Sequence, residues 1–119
     1  MELTGLSFIG AQRGQTGGAV FHGINPATGA ALEPPYHSAA PEEAADAAGL
    51  AAAAFPGFSR TAPKQRAAFL RSIAANIEAL GQTLTDRVMA ESGLPEGRVK
   101  GETGRTCGQL RMFAALTRH

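Results

Sequence analysis

The chain changes character at Pro41. Before it, apolar residues come in short runs broken by glycine, asparagine and proline; after it they recur every three or four residues. The first stretch can supply short strands and turns, and the second can supply helices. Strands and turns are expected over residues 1–35 and helices over 41–119, an α+β arrangement. With 119 residues there is room for one domain.

Ahead of Pro41, Leu6, Phe8 and Ile9 form one apolar run and Ala19-Val20-Phe21-His22 a second. The glycine-rich segment Gly14-Gln15-Thr16-Gly17-Gly18 lies between them, which predicts a β-hairpin. Asn25-Pro26-Ala27-Thr28-Gly29 is a turn: Pro26 presets φ for its first corner, and Gly29 accepts positive φ. A third short strand at Ala30-Ala31-Leu32 is expected to end at Pro34-Pro35.

After Pro41, Glu42, Glu43 and Asp46 sit where a helix N-terminus favours negative charge. Ala45, Ala48, Ala52 and Phe55 share one face, and Pro56-Gly57 is expected to stop this helix. A second helix follows, with Thr61 as its N-cap. It carries the strongest apolar stripe of the chain, through Phe69, Leu70, Ile73, Ile77 and Leu80. Leu84 and Val88 continue the rhythm past Gly81, which predicts a kink or a restart there. Glu91-Ser92-Gly93-Leu94-Pro95 is a terminator.

The last segment places Gly97, Gly101, Gly104 and Gly108 on one narrow helical face, opposite Val99, Thr106, Leu110, Phe113 and Thr117. Each helix-interior glycine costs roughly 0.8–1.0 kcal/mol relative to alanine. Two readings follow: close approach of another backbone or ligand along that face, or a partly unwound segment. The helical pattern still runs at Leu110 to Thr117, so a longer polypeptide is expected.

Composition narrows the functional classes. Alanine fills 24 positions, tryptophan is absent and aromatics make up 6% of the chain, so the core is expected to be thin. Such helices favour packing against something larger. The net charge of +1 gives no basic excess of the kind a nucleic-acid or anionic-membrane partner requires. A single cysteine, Cys107, excludes an internal disulfide and a multi-cysteine metal site, and it fits a reducing compartment. MELTGLSFIG lacks a basic region followed by a long apolar run, and no stretch of about 20 apolar residues exists. A soluble, cytoplasmic protein without nucleic-acid or membrane partners is the expectation.

Several segments, in order, resemble the start of an aldehyde dehydrogenase. Phe8-Ile9-Gly10 is similar to that family's first strand, and Asn25-Pro26-Ala27-Thr28-Gly29 to its N-P-A-T-G turn. Ala51 to Phe55 with Phe58, then Arg66 to Ala74, resemble its first two helices. Glu91-Ser92-Gly93-Leu94-Pro95 resembles its E-T-G-K-P stop, and Gln109 to Ala114 the helix leading to its cofactor-binding strands. The likeness covers nearly the whole chain and rests on the ordered set. It departs where a tryptophan near the first strand is missing, where Ala30 replaces a common Glu, and where Leu94 replaces Lys. Within the family, Leu3 to Gly10 and Gly101 to Arg111 are most similar to the α-ketoglutaric semialdehyde dehydrogenases.

The resemblance implies an α/β parent fold with a Rossmann-like cofactor domain, of which this chain is an N-terminal part lacking the catalytic and oligomerisation domains. It implies oxidation of 2,5-dioxopentanoate to 2-oxoglutarate with NAD or NADP, in a homo-oligomer whose partners are a small aldehyde and the rest of the polypeptide. The family's cysteine nucleophile, oxyanion donor, glutamate and cofactor contacts lie beyond the position matching His119. No catalytic or cofactor-binding residue is therefore expected in this chain, and no activity from it alone. Cys107 reads as a packing residue.

Arg105 is the residue the resemblance assigns to substrate contact, because its family counterpart lines the substrate tunnel. A guanidinium suits a carboxylate-bearing aldehyde through bidentate hydrogen bonds. The other reading is an i, i+3 pair with Glu102 on a solvated face. Gln109, one turn on, is a second candidate. The family often holds a monovalent cation near the N-P-A-T-G turn; by motif, the carbonyls of Gly23 and Ile24 and the Glu91 side chain would contribute. Glu91 reads equally as a surface acid near a helix end. His22 and His37 read as structural or exposed. Two alternatives stand beside the enzyme-fragment reading: a small helical interaction module, and a subfamily acting on succinate semialdehyde.

Overall fold

The computed structural model describes residues 2–117, which form two compact units, Glu2–Arg60 and Thr61 onward. The first unit holds β1 (Phe8–Ile9), β2 (Gln12–Arg13), β3 (Val20–Ile24), β4 (Ala31–His37) and α1 (Pro41–Phe58). The second holds α2 (Pro63–Ala79), α3 (Gly81–Ser92) and α4 (Glu96–Leu116). The α+β class expected from the change of period at Pro41 is the one observed.

The strand partners differ from those expected. The two apolar runs do not pair with each other; each closes its own antiparallel pair. Phe8 faces Arg13 and Ile9 faces Gln12 across a two-residue reversal in which Gly10 takes φ of 59°. Val20 faces His37 and Ile24 faces Ala31 across the Asn25–Gly29 turn. A short loop costs less closure entropy than the ten-odd residues between the two runs. The second turn is also well tied. The Asn25 N–H donates to the Ala30 carbonyl at 2.9 Å, and the Asn25 side chain accepts from the Ala27 N–H at 2.9 Å.

β4 also runs through Pro34-Pro35, where it was expected to end. The ladder breaks between Phe21 and Gly23, opposite the stretch from Tyr36 back to Leu32. The prolines sit in that irregularity, where no ladder N–H is needed. The Glu33–Pro34 peptide is cis.

α1 continues past Pro56 to Phe58. A proline two residues from the helix end removes one hydrogen bond only. The final turn is closed by the Ser59 N–H to the Phe55 carbonyl at 2.8 Å and by the Ser59 hydroxyl to the Pro56 carbonyl at 3.3 Å. The Ala45–Phe55 face is not a core face, because no residue of α1 is buried and Phe55 is 68% exposed.

At the start of α1, Ala40 has no side-chain acceptor, so only the reciprocal half of a capping box forms. Glu43 supplies it, accepting from the Ala40 N–H at 2.9 Å with one oxygen and from the Gln15 N–H at 2.6 Å with the other. The Ala40 bond first, and the Gln15 bond second, hold the Glu43 carboxyl below its usual value of 4.5. A depressed folded-state value means that this stabilisation is present above about pH 4.5 and is lost as pH falls through the lower folded value. Glu43→Gln is therefore expected to lower stability at pH 7 and to flatten its decline between pH 5 and pH 3. Urea unfolding across that range measures both; an unaltered pH slope would rule the clamp out.

In the second unit, α2 starts at Pro63 with Ala62, not Thr61, as N-cap. Gln65 accepts from the Ala62 N–H at 2.9 Å, while the Thr61 carbonyl takes the Arg66 guanidinium. Gly81 adopts φ of 53° between α2 and α3, so the apolar rhythm restarts there. Gly93, at φ of 71°, closes α3 by donating its N–H to the Met89 carbonyl at 2.9 Å, as the terminator predicted.

α4 is continuous, so the partly unwound reading fails. The close-approach reading also finds no support among the described residues: open space lies where a Cβ on Gly97, Gly101, Gly104 or Gly108 would stand. The helix is held by its other side. The buried stripe is Val99, Cys107 and Ala114, flanked by half-buried Thr103, Leu110 and Thr117. Phe113 and Thr106, expected to pack, are exposed. Ala67 and Ala74 are the buried residues of α2, and the Cys107 thiol donates to the Ala74 carbonyl at 3.6 Å. Arg111 forks onto Glu78 at 2.6 and 2.7 Å and ties α4 to α2. This core of alanine, valine and cysteine is as thin as the composition implied.

Candidate functional site

The longest helix carries the candidate substrate residues. From Glu102, the spacing to Arg105, Thr106, Gln109 and Phe113 keeps all five on adjoining turns of α4. With Leu70 of α2 and Leu110 they line an open groove of about 490 Å³. Arg105 and Gln109 are thus on one groove, with an apolar wall from Leu70, Leu110 and Phe113. Among the described residues Arg105 makes no ion pair, and its expected i, i+3 partner Glu102 makes none either. An exposed guanidinium beside an amide and an apolar wall is a suitable receptor for a short carbon chain ending in a carboxylate.

Leu70 and Phe113 were missed as groove residues. Phe113 lies one turn past Gln109, where its aromatic side chain reads as core, yet it is exposed on the groove. Leu70 is 35 positions from Arg105, and only the packing of α2 on α4 brings it there.

A larger cleft of about 630 Å³ lies in the first unit between the β1–β2 hairpin and α1. Its acidic residues are Glu43, whose two oxygens are taken by backbone N–H groups, and Asp46. It brings together no nucleophile and base.

The remaining candidates fall in both units. Gly23 and Ile24 lie in β3 of the first unit, opposite Leu32 and Ala31. Glu91 lies near the end of α3 in the second unit, with its carboxylate 2.7 Å from Arg87 Nε. His22 Nε2 stands 3.8 Å from Glu33, and His37 has a buried Nδ1 without a hydrogen-bond partner. No group of three His, Cys, Asp or Glu side chains is arranged to hold a metal ion among the described residues, and no helix there is long and apolar enough to cross a membrane.

Cys107 is 1% exposed between α2 and α4. A thiol reagent added to the folded chain is expected to label it at least 100-fold more slowly than in 6 M guanidinium, because reaction needs the helices to part. Equal rates measured by mass spectrometry would show that the α2–α4 packing is open in solution.

The aldehyde dehydrogenase family model matches residues 13–119. The chain belongs to the aldehyde dehydrogenase family. It is 40% identical over 119 residues to alpha-ketoglutaric semialdehyde dehydrogenase 2 of Azospirillum brasilense, covering 99% of this chain and 23% of that protein. It is 39% identical over 117 residues to alpha-ketoglutaric semialdehyde dehydrogenase of Acinetobacter baylyi, covering 98% of this chain and 22% of that protein. The chain therefore spans less than a quarter of the length of these curated relatives. As an aldehyde dehydrogenase family member it keeps the ordered turn and helix signals over that span, and its α+β structure is consistent with the family fold.

Proposed function

We propose that this chain is the N-terminal part of the cofactor-binding domain of a cytoplasmic, homo-oligomeric, NAD- or NADP-dependent aldehyde dehydrogenase. Its substrate is a carboxylate-bearing aldehyde, 2,5-dioxopentanoate, which it converts to 2-oxoglutarate. The observation that carries this reading is the exposed Arg105 guanidinium beside Gln109 on the α4 groove, without an ion pair among the described residues. The names of the two relatives point to the same substrate class. Arg105 binds the substrate carboxylate, Gln109 assists it, and the wall of Leu70, Leu110 and Phe113 receives the carbon chain. In the complete enzyme the Gly23 and Ile24 carbonyls and Glu91 contribute to a monovalent-cation site.

A bound nicotinamide would supply the hydride acceptor. The residues of this chain do not fit the dinucleotide. The junction from β4 to α1, Ser38-Ala39-Ala40, lacks the glycine pattern that admits a pyrophosphate, and Glu43 already takes the Ala40 N–H. No step through the cofactor is assigned to these residues, and the 119-residue chain by itself is inactive.

Two assays test the proposal. The isolated chain, given 2,5-dioxopentanoate with NAD+ or NADP+, should form no NADH or NADPH. In the full-length enzyme, Arg105→Ala should cut kcat/KM for 2,5-dioxopentanoate by roughly 10- to 100-fold, the worth of a charge-assisted hydrogen bond. A neutral aldehyde of similar length should lose no more than about threefold. Equal losses toward both would end the carboxylate assignment.

A further inference from the structure

The polar side chains of the α4 groove do not all serve it alone. Glu102 and Thr106 also line a neighbouring apolar groove of about 440 Å³, with Leu80, Leu84 and Val88, and so form the ridge between the two. Arg105 and Gln109 line the first groove and not the second. The Gln109 side chain is exposed, and no hydrogen bond engages its amide among the described residues. The wall beside it is fixed by packing, since Leu70 lies one turn before Ala74 on α2, and the Ala74 carbonyl accepts the Cys107 thiol. Along α4, Gln109 stands about 6 Å beyond Arg105, and Phe113 about 6 Å beyond Gln109. The groove runs from a guanidinium, through an amide, to an apolar wall.

That order matches the order of groups in 2,5-dioxopentanoate: a carboxylate, a ketone one bond away, then two methylene groups. Resting on the reading of Arg105 as the carboxylate contact, we propose that Gln109 determines specificity for a 2-oxo acid by donating an amide N–H to the 2-oxo oxygen. A carboxylate such as that of Glu102 only accepts, and the Thr106 hydroxyl stands on the ridge. An aldehyde acid without the ketone leaves the Gln109 amide no partner in the groove, but an exposed amide returns to water. The selectivity is therefore that of one neutral hydrogen bond, roughly three- to tenfold, and not that of a buried donor left unpaired. The product keeps the same ketone, so Gln109 holds substrate and product alike.

The test is Gln109→Leu in the full-length enzyme, which keeps the bulk of an exposed side chain and removes its donor. Two substrates are compared: 2,5-dioxopentanoate, and 5-oxopentanoate, which has the same carbon chain and carboxylate but no ketone. The substitution should lower kcat/KM for 2,5-dioxopentanoate by roughly three- to tenfold and change that for 5-oxopentanoate by less than about twofold. The inhibition constant of 2-oxoglutarate should rise by a similar factor while that of glutarate stays in place, a readout of binding without turnover. Equal losses toward the two acids, or no loss toward either, would overturn the specificity role. If Arg105→Ala discriminates between acidic and neutral aldehydes while Gln109→Leu does not separate the two acids, only this inference fails. If Arg105→Ala does not discriminate, the carboxylate reading fails and takes this inference with it.

Discussion

Gly5→Ala is expected to destabilise the Glu2–Arg60 unit by about 3 kcal/mol, among the larger effects a single methyl group can have. Two costs act together. Gly5 sits at φ of 70°, a left-handed conformation that costs an L-residue roughly 1–2 kcal/mol. An added Cβ would also stand 1.9 Å from the Pro35 carbonyl oxygen and 2.9 Å from its carbon. Both atoms are backbone, so the clash cannot be relieved by a side-chain rotation, and enforced shifts of this kind cost roughly a further 1–3 kcal/mol. The contact is close because the Gly5 carbonyl accepts the His37 N–H at 3.0 Å, which binds the N-terminal segment to the end of β4. Urea unfolding should show the loss, and amide exchange at His37 should accelerate with it. A variant within about 1 kcal/mol of wild type would mean that the segment is not held against β4.

The opposite sign is expected on α4. Replacing Gly101, Gly104 and Gly108 together by alanine should stabilise the 119-residue chain by about 2.5–3 kcal/mol. The positions are helix interior, and nothing lies within 4 Å of the Cβ each would gain. The benefit is therefore the propensity difference with no steric charge against it, and three sites without shared partners should be nearly additive. A higher urea midpoint with increased helical circular dichroism would bear this out. A neutral or destabilising result would show that another surface already lies against that face in solution. The same triple variant in the full-length polypeptide asks that question of the complete protein.

How much of this was legible depended on whether the deciding interaction was local. The change at Pro41, the restart at Gly81 and the stop at Gly93 were readable because each rests on the backbone preferences of one or two residues. The strand partners were not. Phe8-Ile9 and Val20-Phe21 are too short to fix a register, and the choice fell to Gly10 and to the Asn25 turn. The end of α1 was misplaced because proline was weighed by its interior cost, although Pro56 lies in the last turn. On α4 the aromatic Phe113 reads as core, yet the buried positions are Val99, Cys107 and Ala114, and the fully buried positions facing them on α2 are the alanines Ala67 and Ala74. Arg105 and Gln109 could be placed on one side of a helix from spacing alone. Leu70 could not be added to them, because its place in the groove is a matter of tertiary packing.

The alanine-lined contact between α2 and α4 has a consequence for how these helices find each other. Ala67, Ala74 and Ala114 present nearly identical small bumps, so the alanines by themselves discriminate weakly between alignments one turn apart. A surface of that kind holds helices together without saying where they should stop. Arg111 and Glu78 give that instruction, because a planar fork meets a carboxylate in one place only. An exposed ion pair of this sort adds little to total stability. Its influence is on the choice among near-equal alignments, and weakening it should leave the two helices paired but less certain of their offset.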